Sequence, residues 1–268
     1  MVLRLNRLRS LVALGTLTVL LAVTACRGDD ARSDGGSTDS SNAPAGVAPP
    51  VIDPDDGGTY APTLDPSEFV TTIDNPYLPL APGARWVYEG TADGEAERTE
   101  IVVTDERRDI MGISAVVVRD TVTGAGGVVE ATFDWFAQDR DGNVWYLGED
   151  SKEYEDGKVV STAGSWEAGV DGARPGIVMP ADPSVGDAYR QEYYAGEAED
   201  LAEVISVGGT AEVGGKTFTA VMVTKEWTPL EADVVEEKSY APGVGMVAEQ
   251  VVEGGEGRAE LVEHTPGG

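Results

Sequence analysis

The chain of 268 residues has one cysteine, one histidine and far fewer basic than acidic residues. Cys26 has no second cysteine with which to pair, so the exported part of the chain must be stable without an internal disulfide. The only histidine, His264, lies close to the C-terminus, where chains commonly fray. These absences argue against Ser-His-Asp and Cys-His catalysis and against zinc sites built from histidine or cysteine.

Positive charge is scarce throughout the chain. Lys and Arg number 19 against 48 Asp and Glu, and the formal net charge is −29. No run of even four basic residues follows Cys26, so the sequence excludes nucleic-acid binding and polybasic contact with anionic lipids. No glycine-rich phosphate loop follows a strand and opens a helix, which argues against a nucleotide-dependent enzyme.

The one long apolar run lies near the N-terminus. Residues 1–25 contain three arginines and no acid, with an apolar stretch over residues 11–23. This stretch is shorter than the roughly 20 residues that a membrane-spanning helix needs, and it is typical of a signal peptide. It ends in "VTAC", which resembles the bacterial lipobox. We therefore predict a lipoprotein signal peptide over residues 1–25 and a lipid attached to the thiol of Cys26.

Residues 26–65 are rich in Gly, Ser, Asp, Ala and Pro and contain one aromatic residue, Tyr60. Such a segment buries too little apolar surface to offset the entropy of ordering it. The sequence therefore predicts a disordered, flexible tether that joins the lipidated Cys26 to a folded domain. In this interpretation the protein is anchored to the cell membrane and faces away from the cytoplasm, in the extracellular space or the periplasm.

Residues 66–264 show a hydrophobic period of two, which is typical of half-buried strands. In "VVEATFDWFAQ" the pattern predicts that one face is buried and the other polar. The predicted buried face consists of Val129, Ala131, Phe133, Trp135 and Ala137, and the polar face includes Glu130, Thr132, Asp134 and Gln138. Short links predict antiparallel pairing. We expect an all-β domain of about 10–12 mostly antiparallel strands in a curved sheet, open barrel or sandwich.

Short sequence motifs recur within the predicted domain, and we refer to this recurrence as the echo. Gly83, "EAE", "AV" and "VVE" recur 102 to 106 residues later, which suggests two similar meanders over about 84–150 and 187–252. Chance remains an alternative, because Val, Glu, Ala and Gly are abundant. The segment between the copies, residues 161–187, has many glycines and prolines and is predicted as one long loop.

Several longer phrases resemble a widespread family of uncharacterised secreted bacterial proteins and lipoproteins. They are "NPYLPLAPGARWVYEG", "TFDWFAQDRDGNVWYLGEDSKEYEDGK", "SWEAGVDGARPGIVMPADPSVGDAYRQEYY" and "YAPGVGMV". The resemblance spans roughly Phe69 to Val262. It implies one exported β domain and brings no established activity and no catalytic residue.

Two small groups of residues are candidate binding sites. Asp139, Asp141 and Asn143 alternate in "DRDGN" like the first ligands of a calcium loop, although Gly142 is misplaced for an EF-hand and no helices flank it. The alternative is a hairpin turn that uses these residues for their backbone tolerance. Calcium is the one cofactor that the sequence suggests.

The second group joins a predicted hairpin to the long segment 161–187. Its members are Trp145, Tyr146, Trp166, Glu167 and Asp171. They would bind a polymer or an apolar ligand, although alternating aromatic residues on strands more commonly form a core.

The resulting hypothesis is a non-catalytic, membrane-anchored lipoprotein whose β domain binds an unknown ligand of the cell envelope. One alternative is a carboxylate-dependent glycan hydrolase that uses Glu167 or Asp171, because such chemistry requires only two carboxyl groups. Another is a calcium-stabilised structural module. The sequence leaves the oligomeric state open.

Overall fold

The computed structural model describes residues 60–268, which fall within one compact unit. The predicted signal peptide, Cys26 and the predicted tether as far as residue 59 lie outside the described residues. Within residues 60–268, no helix combines the length and the apolar character needed to cross a bilayer.

Strands make up most of the described chain, together with two 3-10 helices at Pro66–Glu68 and Pro229–Glu231. The strands are β1 (Phe69–Val70), β2 (Arg85–Ala92), β3 (Glu95–Ile110), β4 (Ile113–Gly124), β5 (Gly127–Asp139), β6 (Val144–Glu155), β7 (Lys158–Ser161), β8 (Trp166–Glu167), β9 (Arg174–Met179), β10 (Ala188–Arg190), β11 (Glu192–Tyr193), β12 (Leu201–Val213), β13 (Lys216–Trp227), β14 (Val235–Ala241), β15 (Gly245–Glu253) and β16 (Gly257–Thr265).

All neighbouring strands pair antiparallel, because short turns connect most of them. The sheet runs in the order β10-β12-β13-β14-β15-β16-β2-β3-β4-β5-β6-β9-β11. Eleven of the sixteen strands have six or more residues, in agreement with the predicted 10–12, and the other five have two to four. The all-β, antiparallel prediction is confirmed.

The sheet curves into a nearly closed, barrel-like structure, with β9 close to β10. A Cβ added to Gly176 of β9 would lie 2.3 Å from the backbone carbon of Gln191, so a residue without a side chain is required where these two backbones meet. Part of the interior is apolar and includes Trp86, Ile101 and Phe136, all of which are buried.

Two series of strands run in sequence order through the sheet, in the regions where the sequence predicts an internal repeat. The series β2 to β6 and the series β10, β12, β13, β14 and β15 each run in sequence order through the sheet, and β16 lies between them. The echoed "AV" lies in β4 at Ala115 and in β13 at Ala220, while the echoed Glu130 and Glu236 lie in β5 and β14. The recurring "AV" and "VVE" thus lie on strands of the same order in the two series, whereas "EAE" begins β3 in the first and precedes β12 in the second, and the internal repeat stays a prediction.

The predicted faces of β5 are wrong in its middle part. Thr132 and Asp134 are buried, at 4% and 3% exposed, whereas Phe133 is 38% exposed. Trp135 lies on the same outer side as Phe133 but is covered, with the guanidinium carbon of Arg108 4.0 Å from its ring centre. The reason is that the inner face of the curved sheet is polar around Thr132 and Asp134. The polar residues of β5 are therefore enclosed, and Phe133 and Trp135 lie on the outer face.

Two further expectations are corrected. The segment 161–187 is not one long loop, because it contains β8 and β9, which both pair with β6. The end of the chain is ordered: His264 belongs to β16, and its ring stacks on Trp86 with centroids 5.4 Å apart.

Candidate functional site

Acidic side chains gather on the inner faces of β4, β5 and β6. In the pairing register Asp120 lies opposite Thr132, and Asp134 lies opposite Glu149. The Tyr146 hydroxyl lies 2.6 Å from Asp134 Oδ1 and 2.8 Å from Glu149 Oε2. We refer to Asp120, Glu130, Asp134 and Glu149 as the first acidic wall.

Asp120 is the most exceptional member of this wall. The residue is 7% exposed, and its Oδ1 has no hydrogen-bond partner within residues 60–268. Burial raises the pKa of its carboxyl well above the usual value, and the charges of Asp134 and Glu130 raise it further. The folded state therefore retains a proton on Asp120 that the unfolded chain would release, so this group stabilises the fold less as the pH rises.

A second acidic wall, Glu226, Glu236 and Glu249, lies on β13, β14 and β15 and contains a lysine. Lys238 is 1% exposed. Its Nζ donates to Glu226 Oε2 at 2.8 Å and lies 3.5 Å from Glu249 Oε1 and 3.8 Å from Glu236 Oε2.

The charges of this second wall are strongly coupled. Burial lowers the pKa of Lys238, but the three surrounding carboxylates raise it by more, so the ammonium stays charged. Burial raises the pKa of Glu249 well above its usual value, and the ammonium only partly opposes this. One ammonium thus neutralises part of a larger negative charge.

Both walls face the same interior. Tyr88, on the inner face of β2, is fully buried and donates to the carbonyl of Met246 at 2.9 Å. Burial raises the pKa of the Tyr88 phenol, and both Asp120 of the first wall and Glu249 of the second wall raise it further. The charges of both walls thus act on the phenol of Tyr88, which lies between them in the barrel-like interior.

Two of the five residues predicted for ligand binding belong to this interior. Tyr146 contacts the first acidic wall, and its ring meets that of Trp166 edge to face, with centroids 5.3 Å apart. Trp166 lies opposite Glu149 in the register of β6 and β8, and its indole N–H donates to Glu192 Oε2 at 2.8 Å. The structure therefore brings Tyr146 and Trp166 together.

The other three predicted residues have different environments. Trp145 follows the opposite alternation on β6, and its indole N–H donates to Asp139 Oδ2 at 2.8 Å. Glu167 Oε2 accepts from Arg108 Nη2 at 2.5 Å. Asp171 is an exposed turn residue with a φ of 49°. A role for these residues in binding or hydrolysis stays a prediction.

The predicted calcium ligands form the turn between β5 and β6. Asp139 accepts hydrogen bonds from the backbone and the side-chain amide of Asn143, each at 2.9 Å, while Asp141 is exposed. Gly142 has a φ of 98°, which suits glycine at this position. The described residues contain no group of three or more His, Cys, Asp or Glu arranged to hold a metal ion. Calcium binding stays a prediction.

Sequence reasoning missed Asp120, Lys238 and Glu249. A signal for Asp120 exists, because in "VVVRDTV" it is in phase with Val118 and Val122, which are both buried. An acid in phase with apolar residues on a strand indicates a buried carboxyl. Lys238 has no comparable signal, since Glu236 and Glu237 place acids on both faces of β14.

Comparisons with known proteins leave the family open. No family model matches the chain, and no curated protein matches it. Two solved structures are similar. A Bacteroides fragilis protein assigned as exported, with a YmcC-like fold, is 14% identical with a TM-score of 0.43, and the match covers 71% of this chain and 99% of that one. A Parabacteroides distasonis protein assigned as a lipoprotein is 12% identical with a TM-score of 0.38, and the match covers 70% and 98%. At these sequence identities and TM-scores, neither similarity indicates what this protein does.

Proposed function

We propose that this protein is a lipid-anchored, extracytoplasmic binding protein whose β domain takes a cationic group of its ligand into the interior between the two acidic walls. The observation that supports this function is the buried carboxyl of Asp120, whose Oδ1 has no hydrogen-bond partner within residues 60–268. The lipid anchor on Cys26 and the cell-envelope location rest on the sequence pattern.

An unpartnered buried acceptor is costly to keep. Leaving one without a hydrogen bond costs about 1 to 3 kcal/mol, so such groups commonly have a functional reason. Asp120 also faces Asp134, Glu130 and Glu149, whose charges disfavour its ionised form. A cation beside Asp120 would supply a charged hydrogen-bond donor to Oδ1 and would favour the ionised carboxyl.

The expected pH dependence of binding follows from the raised pKa of Asp120. A cation binds best to the ionised carboxyl, so binding must displace the proton that the empty protein retains. Affinity should therefore rise as the pH increases through the raised pKa, and binding should release protons. Within residues 60–268, the titratable groups that act on Asp120 are Asp134, Glu130 and Glu149 of the first wall and Tyr88 of β2.

The test uses the full-length protein, purified in a neutral detergent, and three probes: n-butylammonium, n-butylguanidinium and n-butyltrimethylammonium. We expect at least one probe to bind and to raise the melting temperature, because a ligand of the native state stabilises it. Asp120→Asn keeps the shape of the side chain and removes the charge, and should weaken this binding at least tenfold. Titration calorimetry measures both affinities and the proton release.

Asp105→Asn provides the matched control, since Asp105 is an exposed acid on β3. This variant should bind each probe as the wild type does. The uncharged probe 1-butanol should leave the melting temperature unchanged. If no cation binds, or if Asp120→Asn and the wild type bind equally well, the proposed function is wrong.

The lipid anchor is tested separately. Cys26 is the only thiol of the chain, so growth of the producing bacterium with an alkyne-tagged fatty acid should label the wild-type protein. The Cys26→Ser variant should lose the label completely. Mass spectrometry should find the acyl groups on an N-terminal Cys26 peptide that lacks residues 1–25. A wild-type protein with an unmodified Cys26 would refute the anchor.

A further inference from the structure

Two arginines lie at the seam where β9, β10 and β11 come together. Arg174 begins β9, and Arg190 ends β10. A Cβ added to Gly176 would lie 2.6 Å from the carbonyl oxygen of Arg190, so the backbone of β9 lies directly against this end of β10. The close approach of the two strands therefore fixes the positions of both arginines.

Arg190 points away from the acidic interior. The pKa of the Tyr189 phenol is raised by burial and then by the charge of Glu226, so Tyr189 faces the interior. Arg190 is the next residue of β10 and therefore points to the opposite side of the strand.

The guanidinium of Arg190 is buried with unused donors. Arg190 is 8% exposed, and its Nε and Nη1 are enclosed without a hydrogen-bond partner. No carboxylate oxygen within residues 60–268 lies within 4.0 Å of this guanidinium. A buried charge without a hydrogen-bonded partner is costly, and such a group commonly has a functional reason.

Two tyrosine rings cover the Arg190 guanidinium. Its central carbon lies 4.9 Å from the ring centre of Tyr193 and 5.7 Å from that of Tyr60. The two rings meet edge to face with centroids 5.8 Å apart, and the Tyr60 hydroxyl donates to the carbonyl of Pro175 at 2.7 Å. The faces of aromatic rings stabilise a guanidinium, but they provide no acceptors for the N–H groups in its plane.

Arg174 adds a second positive charge beside the same ring. It pairs with Tyr193 in the register of β9 and β11, and its guanidinium carbon lies 5.9 Å from the Tyr193 ring centre. In the part of the chain that the structure describes, Arg174 also has no acid within 4.0 Å. Arg85 and Arg108, by contrast, each have one within that distance. Two unpaired guanidiniums around one ring produce a local positive potential that favours an anion.

We infer that Arg190 and Arg174, with the rings of Tyr60 and Tyr193, bind a carboxylate group of an external ligand. This site goes beyond the proposed function and does not rest on it. The two oxygens of a carboxylate match a pair of neighbouring N–H groups of a guanidinium. A phosphate dianion carries more negative charge, so a chain with a net charge of −29 repels it more strongly.

The test uses the full-length protein in a neutral detergent, with sodium acetate, sodium phosphate and sodium chloride compared at equal ionic strength. NMR of the arginine Nε–H groups reports on each guanidinium, and the Arg190 resonance is identified by its loss in Arg190→Lys. We expect acetate to shift this resonance in a saturable way and to raise the melting temperature above that in chloride. Phosphate should bind more weakly than acetate.

Arg190→Met keeps the length of the side chain and removes its charge and its donors. It should weaken acetate binding about tenfold or more, because it removes the charged hydrogen bonds to the ligand. The acetate dependence of the melting temperature measures this loss. Arg174→Met should have a smaller effect of about threefold, since it removes only a nearby charge.

Arg258→Met is the matched control, because Arg258 is an exposed arginine of β16. This variant should respond to acetate as the wild type does. If Arg190→Met fails to fold, Arg190→Lys provides the comparison. It keeps the charge but lacks the planar fork, so it should lose the preference for acetate over chloride.

The pH dependence separates this site from the cation site at Asp120. A guanidinium stays protonated in proteins, so acetate affinity should stay constant from about pH 6 to about pH 9, whereas cation affinity should rise. Asp120→Asn should leave acetate binding unchanged, and Arg190→Met should leave n-butylammonium binding unchanged. Either proposal can therefore fail while the other stands.

A carboxylate of the predicted tether is the competing source. Asp53, Asp55 and Asp56 precede Tyr60 by four to seven residues in the sequence. If acetate binds only after all three are replaced by asparagine, the chain's own carboxylate occupies the site and an external ligand is refuted. No acetate response in either protein, or an undiminished response in folded Arg190→Met, would overturn the site itself. Tighter binding of phosphate than of acetate would overturn the carboxylate class.

Discussion

Replacing Lys238 with methionine should destabilise the folded protein by about 3 to 5 kcal/mol, because removing one partner of a buried ion pair leaves uncompensated charge. Methionine has a similar length but no charge, so Glu226 loses a hydrogen-bond donor at 2.8 Å. Glu236 and Glu249 lose the positive charge that lies within 4.0 Å of each. Chemical denaturation of the variant and the wild type measures the difference in the free energy of unfolding.

The loss of unfolding free energy in the Lys238→Met variant, its stability deficit, should depend on pH in a defined direction. The pKa of Lys238 is raised, so its ammonium contributes stability at all pH values well below the ordinary lysine value of 10.5. Without the ammonium, the folded variant must hold more protons on its buried carboxyls than the unfolded chain does. Its stability then falls as the pH rises, and the deficit should be larger at about pH 8 than at about pH 5.

Lys216→Met is the control for this experiment, since Lys216 is an exposed lysine at the start of β13. Its effect on the free energy of unfolding should stay within about 0.5 kcal/mol. A Lys238→Met variant as stable as the control at both pH values would show that the buried carboxyls of the second wall do not depend on the ammonium.

Replacing Gly90 with alanine should destabilise the protein by about 3 kcal/mol, at the upper end of what overpacking usually costs. An added Cβ at Gly90 would lie 1.8 Å from the carbonyl oxygen of Arg258, which belongs to the backbone of β16 and cannot rotate away. Gly90 pairs with Ala259 where β2 meets β16, and this pairing links the two series of strands. The measurement is the midpoint of thermal or denaturant unfolding.

Gly126→Ala is the matched substitution, because a Cβ at Gly126 meets no atom within 4 Å. It should leave the free energy of unfolding within about 1 kcal/mol of the wild type. Equal unfolding midpoints for the two alanine variants would contradict the close approach of β2 and β16.

The fold class could be predicted because it depends on local alternation along the chain. A period of two and short turns are sufficient to indicate antiparallel strands. The echo between Glu130 and Glu236 predicts two copies, and this stays a prediction because any meander follows sequence order whether or not it is duplicated. The prediction of faces failed on β5, because alternation shows that residues share a side but does not show which side is enclosed.

The candidate site could be predicted only in part. Tyr146 and Trp166 were identified from the concentration of aromatic residues, and they do contact each other in the interior. Asp120 was missed although it is in phase with the buried Val118 and Val122, because the acids that surround it come from other strands and are brought together only by curvature of the sheet. Lys238 was missed because its three acidic neighbours lie on three different strands.

The sequence by itself determined what depends on composition and local pattern. It predicts an acidic, strand-forming chain whose single cysteine lies at the position expected after a lipoprotein signal peptide. Only the tertiary structure decided which acids are buried together, because Asp120, Glu226 and Glu249 come from strands distant in sequence that curvature turns toward one interior. The physical reason is that the cost of a buried charge depends on the groups across the interior, and local pattern along one strand carries no information about them.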